Sequence, residues 1–174
     1  MNWKIKGIKK DKVSITSDWD LINQKLIDGV KIKEVKNVIK GNGLLTEVWR
    51  KSWNLDSEPV DQVFQVTLNI GEISDWHVHE YTTDRIFVNS GTIKIVLFDS
   101  RENSPTFGLI NEFKIGELRP MLVIIPSKVF HAIQNIGDKT ASLLNIVDKA
   151  YSYEDPDHWR VSIDSEAIPY KFGS

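Results

Sequence analysis

Several runs along the chain alternate apolar and polar residues with a period of two, the pattern of a half-buried strand. VKIKEVKNVI (30–39), LLTEVWRKSW (44–53), DQVFQVTLNI (61–70), DRIFVNS (84–90), TIKIVLFD (92–99), MLVIIP (121–126) and ASLLNIVD (141–148) are β-rich and of strand length. Gly, Asn, Asp and Pro fall between them, as in GNG, NSG, RENSP and NIGD, where turns are expected. One stretch reads differently. In SDWDLINQKLIDG (17–29), Ser17 can cap a first turn, and Asp18 and Asp20 suit the positive end of a helix dipole. Trp19, Ile22 and Leu26 form an apolar stripe, and Gly29 ends it. The pattern predicts an all-β antiparallel sandwich or barrel, with a jelly roll the expected architecture, preceded by one short N-terminal helix.

Composition narrows the function classes. At 174 residues the chain suits one domain with a substantial core, and 41% hydrophobic with 26% charged residues is ordinary for a globular protein. A formal net charge of −2 gives no broad attraction to nucleic acid or anionic membrane. The absence of cysteine excludes disulfides, thiolate metal sites and a cysteine nucleophile. The first residues, MNWKIKGIKKDK, lack the apolar run of a signal peptide, and no stretch is apolar enough to span a bilayer. A soluble, cytoplasmic protein is expected.

The candidate chemistry lies in GEISDWHVHEYTTDRIFVNSG (71–91). His77 and His79 are two apart, so on a strand they share a face, and Asp84 can return on the next strand. His131 follows Pro126 and Phe130, with Asn135 four residues on. The spacing resembles the two motifs of the cupin superfamily, a double-stranded β-helix barrel. Asp84 stands where metal-binding cupins carry glutamate, and Pro120 and Lys128 replace glycines. His77, His79, Asp84 and His131 would suit one divalent transition metal.

A second resemblance is to the dTDP-4-dehydrorhamnose 3,5-epimerases. Asp99 to Gly108, DSRENSPTFG, resembles their D-x-R-x-x-S-P-T-F-G stretch, and GNGLLTEVWR (41–50) their early glutamate- and arginine-bearing element, keeping Gly43, Glu47, Trp49 and Arg50. The segment from Met121 to His131 and YEDPDH (153–158) follow in the family's order. The resemblance implies a cupin domain over 31–174 after a helical extension over 1–30. It implies a homodimer that epimerises or isomerises a nucleotide-linked 4-keto-6-deoxy-sugar without a metal cofactor, in cell-surface polysaccharide synthesis.

In that frame His79 is the base that removes a proton beside the ketone, and Asp164 orients it, with Glu166 a substitute. His131 is the second active-site histidine, and His131 and His77 would polarise the ketone or hold the ring. Imidazole suits this work because its pKa lies near neutrality. Arg50, Glu47, Trp76, His77 and Tyr153 are the expected substrate contacts, and Arg85, Arg101 and Arg119 are further candidates for the diphosphate.

The departures are specific. Asp84 occupies the slot of the family's enolate-side lysine, Trp76 that of an arginine, and Asn42 that of the early diphosphate arginine. The tyrosine acid aligns with Asn145 or Asp148, according to the direction of counting. Three classes therefore stay open: metal-free sugar chemistry, a metal-dependent cupin enzyme, and a sugar-nucleotide-binding module.

Overall fold

The computed structural model describes residues 3–18, 22 and 25–173. Its strands are β1 (Lys31–Glu34), β2 (Asn37–Lys40), β3 (Gly43–Thr46), β4 (Gln62–Leu68), β5 (Trp76–Val78), β6 (Asp84–Ser90), β7 (Thr92–Phe98), β8 (Ile110–Gly116), β9 (Met121–Ile125), β10 (Phe130–Asn135), β11 (Ala141–Val147) and β12 (Trp159–Val161). They form two five-stranded antiparallel sheets, in the orders β1-β9-β6-β11-β4 and β12-β5-β10-β7-β8, with β2 and β3 as a separate hairpin. The two sheets pack face to face as a jelly roll. Ile86, Val88, Val123, Ile125 and Leu143 of one meet Ile93, Ile95, Leu97, Phe113 and Ile133 of the other in one buried cluster.

The chain β7 reads TIKIVLF because both of its faces are covered. Ile93, Ile95 and Leu97 point into the barrel, while Val96 and Phe98 point outward under the C-terminal tail, against Ile168, Tyr170 and Phe172. Gly91 makes the turn from β6 to β7 at φ 79°, and a Cβ there would come within 2.9 Å of Ala141. Lys128, in a slot that is glycine in the cupin pattern, keeps the left-handed backbone at φ 65°. Its N–H donates to the His79 carbonyl at 2.7 Å, tying that turn to the end of β5.

The predicted N-terminal helix is absent among the described residues. Trp19 and Asp20 lie outside them; residues 17, 18, 28 and 29 are in turns, and 22 and 25–27 have no regular structure. The barrel captures the backbone groups that a helix would have paired internally. Ile27 N–H donates to Asn111 Oδ1 and Asp28 N–H to Thr106 Oγ1, both at 2.8 Å, while Asn111 Nδ2 donates to the Lys25 carbonyl. Ile27 and Val30 join the main core. Local helix propensity loses here to tertiary pairing.

The SPTFG stretch has a structural role. Asp99, fully buried, accepts from Arg101 Nε at 2.8 Å, Ser104 Oγ at 2.5 Å and Thr106 Oγ1 at 2.7 Å, and Arg101 Nη2 reaches the Asp28 carbonyl. Burial alone would raise the pKa of Asp99, but these hydrogen bonds hold it far below the usual carboxylate range. The buried guanidinium of Arg85 likewise clasps Asp56 through Nε at 2.8 Å and Nη2 at 2.5 Å, and donates to the Glu58 carbonyl. Neither arginine is left for a diphosphate.

Strand alternation sends Trp76 to the opposite face from His77. It is fully buried outside the barrel, packed on Tyr170 and Phe172 at centroid distances of 6.2 and 5.6 Å, and cannot serve as the expected sugar platform. Its indole Nε1 has no hydrogen-bond partner among the described residues. Trp76→Phe deletes one ring of a fully buried indole with no such partner and should cost about 1–2 kcal/mol, mostly for the space left behind. Urea unfolding and nucleotide-sugar titration would show a small loss of stability with unchanged affinity; a tenfold loss of affinity in a folded variant would restore the substrate role.

Candidate active site

A cavity of about 360 Å³ opens between the sheets at the end where β5, β6 and β11 meet. Ile86, Ile133 and Leu143 give it apolar depth, and exposed Phe64, Tyr81 and Tyr151 stand among its lining residues. Lys149 and Arg160 are the lysine and arginine of the lining, both exposed.

Its polar part is assembled from both sheets. His77 on β5 faces His131 on β10 across an antiparallel pair, with ring centroids 3.9 Å apart. His79 follows β5, and Asp84 opens β6 in the other sheet. Asp84 Oδ2 lies 3.5 Å from His79 Nε2 and 3.4 Å from His131 Nε2. Asp84 Oδ1 accepts from Asn145 Nδ2 at 2.6 Å, and Asn145 Oδ1 in turn accepts from the Arg85 N–H, which fixes the amide.

A fourth imidazole, His158, comes from the loop before β12. Its ring stacks on His77 at 4.9 Å and stands 5.0 Å from His79. Its Nε2 has no hydrogen-bond partner among the described residues. The preceding Asp157 pins this loop: its carboxylate accepts from the N–H groups of Glu80, Tyr81 and Thr82 and from Thr82 Oγ1, between 2.7 and 3.0 Å. Burial opposes ionisation of Asp157, yet those bonds keep its pKa below the usual range.

Backbone carbonyls fix the histidine tautomers. Nδ1 of His77 faces the Asp75 carbonyl at 3.3 Å, Nδ1 of His131 the Val129 carbonyl at 3.1 Å, and Nδ1 of His79 the Asp157 carbonyl. A carbonyl only accepts, so each Nδ1 carries a proton and Nε2 is the ring nitrogen turned into the site. Burial drives His131 down to about 3 and His77 well below its ordinary value, so both rings stay neutral. His158 is lowered too, by burial first and then by His79.

A family model for dTDP-4-dehydrorhamnose 3,5-epimerase matches residues 24–172. The chain belongs to this family. It is 32% identical over 140 residues to a probable low-salt glycan biosynthesis epimerase of Haloferax volcanii, covering 79% of this chain and 89% of that one. It is 31% identical over 149 residues to the spore coat polysaccharide biosynthesis protein SpsL of Bacillus subtilis, covering 86% and 98%. A dTDP sugar isomerase from Desulfovibrio desulfuricans G20 has the same fold, with a TM-score of 0.78 at 23% identity over 83% of this chain and 91% of that one.

Placed in the epimerase fold, the sequence-predicted residues divide sharply. His77, His79, His131 and Asp84 converge. Asp164 is exposed in the C-terminal turns and is not among the cavity residues; the groups on His79 are the Asp157 carbonyl and Asp84 instead. Glu166 is exposed as well. Asp148 accepts the Thr83 N–H at 2.7 Å and is not among the cavity residues, while Asn145, the other position for the family's tyrosine, lines the cavity. Arg50 and Glu47 pair with each other on the surface, Arg119 pairs with Glu34, and Tyr153 is 87% exposed; none of them lines the cavity. Sequence reasoning gave no role to His158, Asp157, Tyr81 or Tyr151. Only the position of His158 in YEDPDH pointed to it, because an irregular loop has no periodicity to read.

Proposed function

We propose that the protein epimerises or isomerises a nucleotide-linked 4-keto-6-deoxy-sugar by removing a proton from a carbon beside the ketone, in cell-surface polysaccharide biosynthesis. The observation that carries this is the convergence of four imidazoles and one buried carboxylate beside an apolar cavity of sugar-ring size. Tyr81 and Tyr151 suit stacking on a base, and Lys149 and Arg160 suit the diphosphate in place of the missing early arginine. The Nε2 atoms of His79 and His131 face Asp84 and His77 lies stacked on His158, whose own Nε2 has no hydrogen-bond partner among the described residues, so His158 is read as the base for the α-proton. Family membership and the two polysaccharide- and glycan-biosynthesis relatives support the reaction class.

The protein is further read as a cytoplasmic homodimer, since nucleotide sugars are made from intracellular nucleotides. Val38, Ile39, Leu44 and Leu45 on the β2–β3 hairpin are 49–86% exposed, an apolar surface that fits a second copy. Sedimentation equilibrium should give twice the 19.9 kDa chain mass; a monomer at micromolar concentration would remove that part.

The test of function is incubation with dTDP-4-keto-6-deoxyglucose and related keto-sugars in D₂O. Mass spectrometry should find deuterium at a carbon flanking the ketone. Tight binding without incorporation into any of them would instead make the protein a sugar-nucleotide-binding module.

A further inference from the structure

The histidine cluster has an electrostatic problem that the epimerase chemistry does not resolve. Ligand-capable atoms of His77, His79 and His131 lie within 4.8 Å of one another. All three rings have their Nδ1 protons committed to backbone carbonyls, so what they turn toward one another and toward Asp84 is Nε2, the nitrogen that can ligate a metal. Asp84 Oδ2 sits 3.4–3.5 Å from two of those nitrogens, while its other oxygen is held by Asn145. His131 Nε2 is buried without a hydrogen-bond partner. Lone pairs and a carboxylate oxygen crowded together in a buried site repel unless a cation lies among them.

The reaction needs the same cation. Negative charge that develops on the ketone oxygen requires positive charge or donors beside it. Neutral imidazoles whose Nδ1 protons are given to carbonyls would offer it neither, and the family's lysine slot holds Asp84.

We propose that His77, His79, His131 and Asp84 form a site for one divalent transition metal. Three imidazole nitrogens and one carboxylate oxygen are an ordinary donor set for zinc, iron, cobalt or nickel. The surroundings have the form such sites need: each histidine gives its far N–H to a carbonyl, and Asn145 holds the carboxylate. The ion would supply the positive charge that the sugar ketone requires during proton removal. The site stands on its own geometry; its part in the reaction rests on the epimerase reading above.

The experiment uses the full chain made without a histidine tag, stripped by chelator and titrated with Zn²⁺ and with Co²⁺. One equivalent of Zn²⁺ should bind, and Co²⁺ should develop the visible absorption of a nitrogen- and oxygen-ligated ion. His77→Ala should weaken binding by on the order of 100-fold or more, and Asn145→Ala, which only releases Asp84, by about 10- to 100-fold. Thermal melts identify which variants are folded. A wild type that melts cooperatively yet binds no metal overturns the site and leaves a shared proton as the missing charge. Binding unchanged in both folded variants overturns it too, by placing the metal elsewhere. Metal bound at this site with no deuterium exchange in any keto-sugar upholds the site and sinks the epimerase reading. Full exchange in stripped protein overturns the ion's part in the reaction.

Discussion

His158→Gln lowers solvent-deuterium incorporation into the keto-sugar by about 10²–10⁴-fold, the usual contribution of a positioned general base. The substitution keeps a polar side chain of similar length, and His158 lies in a half-buried loop whose anchor is Asp157, so the fold should hold. Substrate affinity should change far less than the rate, because the ring contributes chemistry rather than the rim contacts. Single-turnover exchange at saturating substrate separates the two. An exchange rate within tenfold of wild type would show that another group takes the proton, and His79 would be next in line.

The second large effect is on stability. Asp99→Ala should lower the unfolding free energy by about 3–5 kcal/mol, the cost of removing one partner from a buried charged network. Arg101, Ser104 and Thr106 would lose their shared acceptor, and the hold on Asp28 through Arg101 Nη2 and Thr106 Oγ1 would slacken. The pH dependence has a definite sign. The folded-state pKa of Asp99 is depressed, so its contribution is complete above the unfolded value of about 3.9 and is lost as pH falls below it. Urea unfolding at pH 7 and pH 3 should show a smaller difference for Asp99→Asn than for wild type. A change under about 1 kcal/mol for Asp99→Ala at pH 7 would contradict a structural role for the network.

Both predictions bear on what the sequence could disclose. His77-x-His79 was readable because strand geometry is strict: residues two apart share a face whatever else happens. Asp84 and His131 were readable because turns of fixed length return them to the same end of the barrel. The same alternation sends Trp76 to the outer face, where it packs on Tyr170 and Phe172, so its expected contact with substrate fails. The N-terminal helix failed because Ser17 and the apolar stripe are local signals, whereas Asn111 and Thr106, which hold residues 27 and 28, lie far along the chain. Strand β8 escaped notice because one of its inward positions is Asn111, which breaks the apolar alternation that Phe113 and Ile115 continue. Arg50 and Tyr153 show the limit of carrying roles across by motif. Their stretches match the family, yet in this chain both side chains lie off the cavity.

Strand β5 is only three residues long, and it is held by a single registered pair to β10 on one side and by β12 on the other. Its outer face is sealed by Ile168, Tyr170 and Phe172, near the end of the chain. The histidine pair therefore has no fixed place until the segment from Trp159 to Phe172 has docked. Long-range pairing is slow to form, so His77 and His79 settle among the last parts of the molecule. A chain cut short before Trp159 that has built most of the barrel would still lack its chemistry, because nothing would pair the free edge of β5 or seal its outer face.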